Sequence, residues 1–283
     1  MRPNMAAGRF HLLEAGIVTE QRYAGAGTAP AALGGALAER LGPAKRVRIA
    51  FNPRDRWLTA AREACRTLAD AVTASLAARA LPVVIGGECT VVAGTITGAL
   101  AVERDLALIY FDAHGDFNTL ATTPSHYVGG MCLAHVCGRH VAPLLWPGVR
   151  TISDDNVALV GARKLDSGEA RNLDVSRVRR IRFDSDHPDA AGLLSFARRR
   201  PVWVHVDVDV VDPSDMPAVA SPVAGGPSLA ALSEILREVA AVSDLRGIEL
   251  CGYDPTQDPT ARLVAPLVEL MAVAVQETAL ARR

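Results

Sequence analysis

The hydrophobic residues of this chain form short continuous runs that alternate with longer segments of helical spacing. The short runs predict strands at residues 46–51, 82–85, 106–111, 157–162, 178–183, 202–211 and 246–253. Helical spacing predicts helices at residues 54–79, 90–102, 130–137, 188–198, 229–242 and 261–281, with a short one after residues 163–169. This alternation is typical of an α/β domain in which helices cover both faces of a parallel sheet.

Residues 1–45 are rich in Gly, Ala and Pro, and no helix or strand is predicted there. Residues 118–129 and 212–227 carry many Pro, Ser, Thr and Gly residues, which predicts loops. No internal repeat or linker-like segment divides the chain. Residues 1–283 are therefore predicted to form a single domain.

The composition narrows the classes of function. The chain is 49% hydrophobic with a net charge of −1, so nothing in it indicates a nucleic-acid or membrane-surface partner. We expect no membrane-spanning run, and residues 1–16 lack the apolar core and cleavage site of a signal peptide. The five cysteines are odd in number and scattered, which predicts reduced thiols and a cytoplasmic location.

A polar cluster follows the apolar run 106–111. Asp112, His114 and Asp116 alternate there, and carboxylate and imidazole groups are common metal ligands. Open α/β sheets place their ligand sites at such strand ends. The alternative is a polar loop of turns and helix caps.

A second acidic strand end favours the ligand site. The period of a strand predicts that His205, Asp207 and Asp209 share one face while the intervening valines occupy the other. Burying like charges side by side costs free energy, and a divalent cation would compensate it and keep the carboxylates ionised. An acidic edge strand facing solvent is the alternative, but the valines and Trp203 indicate a buried strand.

The two strand ends together carry four carboxylates and one imidazole, which predicts a site for two divalent metal ions. Hard carboxylate ligands with few nitrogens favour Mn²⁺ or Mg²⁺ over Zn²⁺ or Cu²⁺. Two ions about 3.5–4 Å apart can share a hydroxide and polarise a carbon centre for attack.

These motifs also carry a family resemblance. Residues 112–116, DAHGD, resemble the Asp-Ala-His-x-Asp motif of the ureohydrolase superfamily, and residues 207–213, DVDVVDP, resemble its Asp-x-Asp-x-x-Asp-Pro motif. The superfamily includes arginase and agmatinase, and the resemblance covers roughly residues 82–280. It implies a three-layer α/β/α sandwich, hydrolysis of a guanidino or amidino carbon by a hydroxide bridging two Mn²⁺ ions, and a homo-oligomer, either trimer or hexamer.

The resemblance assigns a role to each matching metal ligand. Asp112 and Asp207 would bridge both ions, Asp116 would bind the first ion, and His114 and Asp209 would bind the second. Both motifs are thus complete in this chain.

The same resemblance assigns substrate contacts. Asn118 and Ser125 match positions that contact substrate. Residues 163–169, RKLDSGE, resemble an arginase segment in which an acidic pair, here Asp166 and Glu169, holds the α-amino group of an amino acid. Favourable negative charge at a helix N-terminus is the alternative explanation for that pair.

The first departure from the family pattern is Cys89. It stands where the family has a His that binds the first metal, and a similar Cys is expected in hydroxyarginine amidinohydrolases. If Cys89 is a ligand, its soft and charged thiolate shifts the preference toward Zn²⁺ or Fe²⁺. The alternative is a buried apolar thiol beside a weakly held first metal.

Two further departures concern catalysis. The family's proton-shuttling His falls on Gly129, so His126 is the candidate for proton transfer, or else an ordinary loop residue. The family's guanidinium-binding Glu falls on Gly252, and Glu249 on the same strand is the remaining catalytic candidate.

The acidic residues Asp254 and Asp258 follow in the next loop, and one of them is a possible partner for a cationic substrate. Otherwise the substrate is less basic than arginine, as a hydroxyguanidine is.

The predicted function is hydrolysis of arginine or N-hydroxyarginine to ornithine and urea or hydroxyurea. Agmatine, a guanidino acid or formimino-glutamate are alternative substrates. A binding protein that lost the chemistry would explain Gly129 and Gly252, but not the complete ligand set. A nucleotide-binding α/β protein is the third class, favoured only by Gly86 and Gly87 before a helix.

Overall fold

Eight parallel strands form one sheet in the computed structural model, which describes residues 10–139, 150–184 and 189–281. The strands are β1 (Phe10–Ala15), β2 (Lys45–Arg48), β3 (Leu81–Gly86), β4 (Ala107–Phe111), β5 (Val157–Val160), β6 (Arg179–Ile181), β7 (Pro201–Asp207) and β8 (Asp244–Cys251). Their order across the sheet is β2-β1-β3-β8-β7-β4-β5-β6. The predicted parallel sheet is confirmed.

Helices cover both faces of this sheet. They are α1 (Ala29–Leu41), α2 (Trp57–Ala77), α3 (Val91–Val102), α4 (Cys132–Val136), α5 (Ser167–Asp174), α6 (Ala190–Ala197), α7 (Leu229–Val242) and α8 (Val264–Ala281). One buried core joins α1, α6, α7 and α8 to the sheet, and a second joins α2, α3 and α4 to the opposite face. The expected three-layer α/β/α sandwich is confirmed.

Two sequence-based expectations differ from the structure. Residues 1–45 were expected to lack defined elements, but β1 and α1 lie there, with β1 paired to both β2 and β3. The predicted strand 202–211 is too long, because β7 ends at Asp207 and a short 3₁₀ turn, Val208–Val210, follows. The expectation that strand alternation alone orients Asp209 is therefore wrong, since the turn orients its side chain.

Among the described helices, α8 is the one whose length and composition would suffice to cross a membrane, although no such run was expected. Its buried residues, including Leu267 and Met271, belong to the core beside α1 and α7. On its exposed side, Glu269 accepts a hydrogen bond from Arg40 Nε of α1 at 2.6 Å. In this fold α8 is therefore a helix packed into the outer layer.

The close packing of α2 against α3 depends on glycine at a contact point. A Cβ added to Gly94 of α3 would lie 2.6 Å from the carbonyl oxygen of Cys65 in α2, too close for ordinary contact. The helices would have to separate to admit the methyl group.

We expect Gly94→Ala to lower the free energy of unfolding by about 1–3 kcal/mol, measured by urea denaturation, because it overpacks this contact. Gly35→Ala in α1 is the matched control, since nothing lies within 4 Å of its added Cβ. That variant should be more stable than the parent by about 0.5–1 kcal/mol. Equal effects of the two changes would contradict the close contact.

Candidate metal centre

Four neighbouring strands, β3, β8, β7 and β4, end at one edge of a cavity of about 350 Å³. Cys89 follows β3, Asp112 follows β4, and Asp207 is the last residue of β7. The acidic strand ends predicted from the sequence therefore meet at the carboxyl edge of the sheet. This is the position at which open α/β sheets bind their ligands.

Three groups of donor atoms among the described residues have the spacing of metal ligands, and two of them share Asp112. Cys89, Asp112 and Asp207 form one group, and Asp112, His114 and Asp209 form the other. Within each group the donor atoms lie within 4.8 Å of one another. Because Asp112 belongs to both groups, the arrangement fits two neighbouring ions that share a carboxylate.

Backbone amides fix the carboxylates of the second group. His114 N donates to Asp112 Oδ1 at 2.6 Å, and Ala113 N donates to Asp209 Oδ1 at 3.1 Å. His114 Nδ1 then lies 3.1 Å from Asp209 Oδ2 and 3.3 Å from Asp112 Oδ1. Asp209 N donates to Asp207 Oδ1 at 2.9 Å, so the 3₁₀ turn links the two groups.

The electrostatics of these side chains favour a bound cation. Burial, followed by the charge of Asp209, raises the pKa of Asp112 and of Asp207 well above the usual range. Burial alone would lower the pKa of His114, but its hydrogen bonds to Asp112 and Asp209 outweigh that effect and raise the pKa to about 12. The cluster thus holds positive charge strongly, and a dication would supply it with all the carboxylates ionised.

Asp116 lines the same cavity but belongs to neither donor group. Its backbone is in the left-handed region, with φ of 48°, and its Oδ2 accepts a hydrogen bond from Tyr110 Oη at 2.7 Å. Its expected role as a ligand of the first metal stays a prediction.

The four predicted substrate-binding residues, Asn118, Ser125, Asp166 and Glu169, all line the cavity. Asn118 Nδ2 donates to Asp166 Oδ2 at 3.0 Å. Both oxygens of Glu169 accept backbone amides, from Phe117 at 2.8 Å and from Asp166 at 3.1 Å. Asp166 is the N-cap of α5 and forms a capping box with Glu169, so both acids hold the helix N-terminus, as the alternative explanation for the pair expects. Glu169 also holds the loop after β4, and Asp166 is exposed among the residues that line the cavity.

The two predicted catalytic residues lie apart from the cavity lining. His126 is exposed on a loop, with φ of 57°. Glu249 is buried in the middle of β8, and its Oε1 lies 2.6 Å from His205 Nδ1. Their catalytic roles stay predictions, and the structure brings neither side chain to the wall.

Tyr127 occupies the wall where His126 was expected. Its hydroxyl donates to Glu88 Oε2 at 2.8 Å, and its ring lies 4.5 Å from that of Tyr23. A side chain on Gly129 would overlap the Tyr127 ring. Burial raises the pKa of Glu88 to about 7, although hydrogen bonds from Thr19 and Tyr127 oppose the shift.

Sequence reasoning assigned no role to the pairing of Tyr127 with Glu88. The one signal for it was a glycine in place of the expected His at position 129, which leaves room for a neighbouring ring.

Arg163 was likewise missed as a structural residue. Its guanidinium donates to five backbone carbonyl oxygens around the turn that follows β7, those of Gly161, Asp209, Val210, Val223 and Ala224. Burial lowers its pKa, against the raising effect of Asp209. Arg163 therefore positions the turn that carries Asp209.

Gly252 is tightly enclosed at the end of β8. Its φ is +84°, its N donates to the Gly87 carbonyl at 2.9 Å, and an added Cβ would overlap the Asp207 carboxylate. Glycine is therefore required by the backbone here. In the following loop, Asp254 caps a 3₁₀ turn and Asp258 accepts from Tyr253 Oη at 2.9 Å, and neither lines the cavity.

The comparisons with known proteins agree with this geometry. The sequence profile of the Arginase family matches residues 15–274. The chain belongs to the arginase family. This arginase-family hydrolase is 30% identical over 232 residues to the N(omega)-hydroxy-L-arginine amidinohydrolase of Streptomyces lavendulae, covering 80% of this chain and 81% of the relative.

Its similarity to arginases is of the same degree. It is 31% identical over 243 residues to the arginase of Bacillus caldovelox, covering 82% of this chain and 80% of that one. The crystal structure of the arginase from Bacillus cereus superposes with a TM-score of 0.83 at 25% identity, over 94% of this chain and 98% of the other. The family resemblance and the fold inferred from the sequence are confirmed.

We expect Asp207→Asn to lower the content of bound divalent metal and to abolish hydrolysis, because the carboxylate charge at the centre of the cluster is lost. The fold should persist, since an amide oxygen can still accept from Asp209 N. Metal analysis of the purified protein, together with an activity assay, measures both effects.

Asp212→Asn is the matched control within the same motif. The Asp212 side chain accepts from Ser214 N and Gly225 N in a loop and does not line the cavity. Normal metal content and activity in Asp207→Asn would exclude Asp207 as a ligand.

We expect Gly129→Ala to displace the Tyr127 ring and leave Glu88 with an unpaired buried oxygen, lowering stability by about 1–3 kcal/mol. Gly130→Ala should be neutral, since nothing lies within 4 Å of an added Cβ there. Thermal unfolding in a Tyr127→Phe background completes the test, because the cost of Gly129→Ala should shrink once the hydrogen bond is already absent. If Gly129→Ala lowers stability by the same amount in both backgrounds, loss of the Tyr127–Glu88 hydrogen bond is not the cause.

Proposed function

We propose that this protein hydrolyses the guanidino C–N bond of N-hydroxyarginine or arginine, giving ornithine with hydroxyurea or urea. The observation that carries the proposal is the shared carboxylate cluster at the base of the cavity, formed by Asp112, Asp207 and Asp209. Two relatives of comparable identity are named as an N(omega)-hydroxy-L-arginine amidinohydrolase and as an arginase. The cavity volume, about 350 Å³, suits a small ligand.

The charges around the cavity suit an amino acid with a basic side chain. Carboxylates lie at its base, and the exposed Asp166 lies at its rim, where it can accept the α-amino group. Arg22 and Lys164 also line the cavity and offer positive charge to the α-carboxylate. The two ends of an amino acid thus have complementary groups at the rim, and its side chain points to the cluster.

Of the two substrates, arginine and N-hydroxyarginine, the wall of the cavity favours N-hydroxyarginine. Gly252 offers no acidic side chain, and Glu249 is engaged with His205 inside the sheet. The acidic loop residues Asp254 and Asp258 lie outside the lining. The wall residue Glu88 already accepts a hydrogen bond from Tyr127, and burial raises its pKa to about 7. A strongly basic guanidinium would therefore lack a free carboxylate partner there, whereas the less basic hydroxyguanidine needs none.

The residues present fit two divalent ions, one on the side of Cys89 and one between His114 and Asp209, with Asp112 between them. Mn²⁺ is the expected ion where carboxylates and one imidazole form the ligand set. When bound, such ions polarise the guanidino carbon and acidify the attacking water. Tyr127 and Glu88 form the adjacent wall and hold a proton between Tyr127 Oη and Glu88 Oε2.

Other parts of the proposal follow from the resemblance and from cysteine usage. They are assembly into a homo-oligomer, trimer or hexamer, a cytoplasmic location, and a small guanidino compound as the partner.

The test is a product assay on the Mn²⁺-loaded protein with arginine, N-hydroxyarginine and agmatine. We expect ornithine from the two amino acids, with hydroxyurea the faster product, detected by mass spectrometry. Asp166→Ala should raise KM for the amino acids by about tenfold or more, because one hydrogen bond to a charged group is lost. KM for agmatine should change little, since agmatine has no α-amino acid group at that end.

Glu169→Gln is the matched control, because both oxygens of the Glu169 carboxylate already accept hydrogen bonds from backbone amides. It should affect all three substrates alike. An equal effect of Asp166→Ala on agmatine would assign Asp166 a structural role, and absence of product from every substrate would contradict the proposed hydrolysis.

A further inference from the structure

The third group of donor atoms shares Cys89 with the first metal position. Cys251, the last residue of β8, places its Sγ 3.8 Å from Cys89 Sγ and 3.6 Å from His205 Nε2. The three donor atoms lie within 4.8 Å of one another, and all three residues are buried. Cys251 and His205 have no part in the carboxylate cluster, and the hydrolysis proposed above does not use them.

The spacing of these atoms is that of a tetrahedral zinc site. Zinc bonds of about 2.3 Å to sulfur and about 2.0–2.1 Å to nitrogen give tetrahedral edges of about 3.8 Å between two sulfurs and about 3.6 Å between sulfur and nitrogen. The Cys89–Cys251 and Cys251–His205 distances equal these edges. Cys89 Sγ and Asp207 Oδ2, at 2.8 Å, would have to move apart when an ion binds between them.

His205 is held in the orientation of a metal ligand. Its Nδ1 lies 2.6 Å from Glu249 Oε1, and its Nε2 faces Cys251 Sγ at 3.6 Å. Its ring stacks on Tyr110 at 4.0 Å with an interplanar angle of 3°. A carboxylate that orients a ligating His is a recurrent feature of zinc sites.

Glu249 holds the His205 ring while one of its own oxygens is unpaired. Its side chain is fully buried, and its Oε2 has no hydrogen-bond partner among the described residues. An unpaired buried polar atom costs free energy. A dication on His205 Nε2 would interact favourably with this carboxyl group through the ring.

Asp207 completes the set of four. Its Oδ2 lies 3.8 Å from Cys251 Sγ and accepts a hydrogen bond from Cys89 Sγ at 2.8 Å. Metal binding would replace that hydrogen bond and release the two thiol protons to solvent. Entry is from the cavity, because Cys89 and Asp207 line it.

We infer that Cys89, Cys251, His205 and Asp207 form a site for one thiophilic dication, represented by Zn²⁺. Two sulfurs and one imidazole select a softer ion than the carboxylates around His114 and Asp209 do. The centre therefore binds two different metals, a soft ion on the sulfur side and Mn²⁺ on the carboxylate side. The inference concerns metal selectivity and holds whichever substrate is hydrolysed.

The test is X-ray absorption at the zinc edge, on reduced full-length protein loaded with one equivalent of Zn²⁺ in excess Mn²⁺. We expect two sulfur neighbours and one imidazole for each zinc. A single sulfur would mean that Cys89 binds without Cys251, and no sulfur would mean that zinc occupies the carboxylate side. Either result overturns the inference, and neither bears on the product assay.

Two variants locate the site further. Cys251→Ser should reduce the sulfur count from two to one, whereas Cys137→Ser, a half-buried cysteine outside the donor set, should leave it at two. Glu249→Gln should weaken Zn²⁺ binding by about tenfold or more through loss of the carboxylate that orients His205. Mn²⁺ binding by the Glu249→Gln variant should be unchanged. A general disturbance of the structure would instead weaken the binding of both metals. A parallel loss of both metals would overturn the positioning role.

Discussion

Burial of several carboxylates at one edge of the sheet is the constraint on which the rest of the site depends. Asp112, Asp207 and Asp209 lie close together in a place of low exposure, and their like charges repel. Backbone amides and the His114 ring hold them at fixed positions. The parallel strands that precede or carry them are buried, and a dication bound there would turn the repulsion into attraction.

Much of this arrangement could be predicted from sequence because it is local. Apolar runs locate the strands, and the parallel order brings their carboxyl ends together, so Asp112 and Asp207 were expected to meet. The turn that carries Asp209 could not be predicted, since it depends on Arg163 contacts from a distant loop. β1 was missed because His11 and Glu14 interrupt its apolar run, and α1 was missed because its Gly- and Ala-rich sequence has weak periodicity.

Each departure from the family pattern is accompanied by a neighbouring group that occupies the space it leaves. Gly129 leaves the space that the Tyr127 ring fills, and that ring is hydrogen-bonded to Glu88 beside Cys89. Gly252 allows the backbone of β8 to pass close to Asp207. Each glycine removes a side chain that the family pattern places in the cavity and allows another group to approach. The cavity wall therefore differs from the family pattern, while the carboxylate cluster is intact. This difference is a reason to expect a changed substrate rather than a lost activity.

Cys89 illustrates why a single residue in a sequence does not define a ligand set. Read alone, it replaces one imidazole by one thiolate at a metal position. Cys251, which is 162 residues away in sequence, lies on the adjacent strand and brings a second sulfur to 3.8 Å. Glu249 was predicted as a catalytic candidate from its position on the strand, yet its side chain lies against His205 and outside the cavity lining. The same β8 segment thus contributes a sulfur, from Cys251, and the carboxylate of Glu249 that contacts the His205 imidazole of β7. In the proposed arrangement, a soft set and a hard set of ligands adjoin where Asp207 accepts a hydrogen bond from Asp209 N. The chemistry of the donors, more than their number, would then decide which metal each side holds.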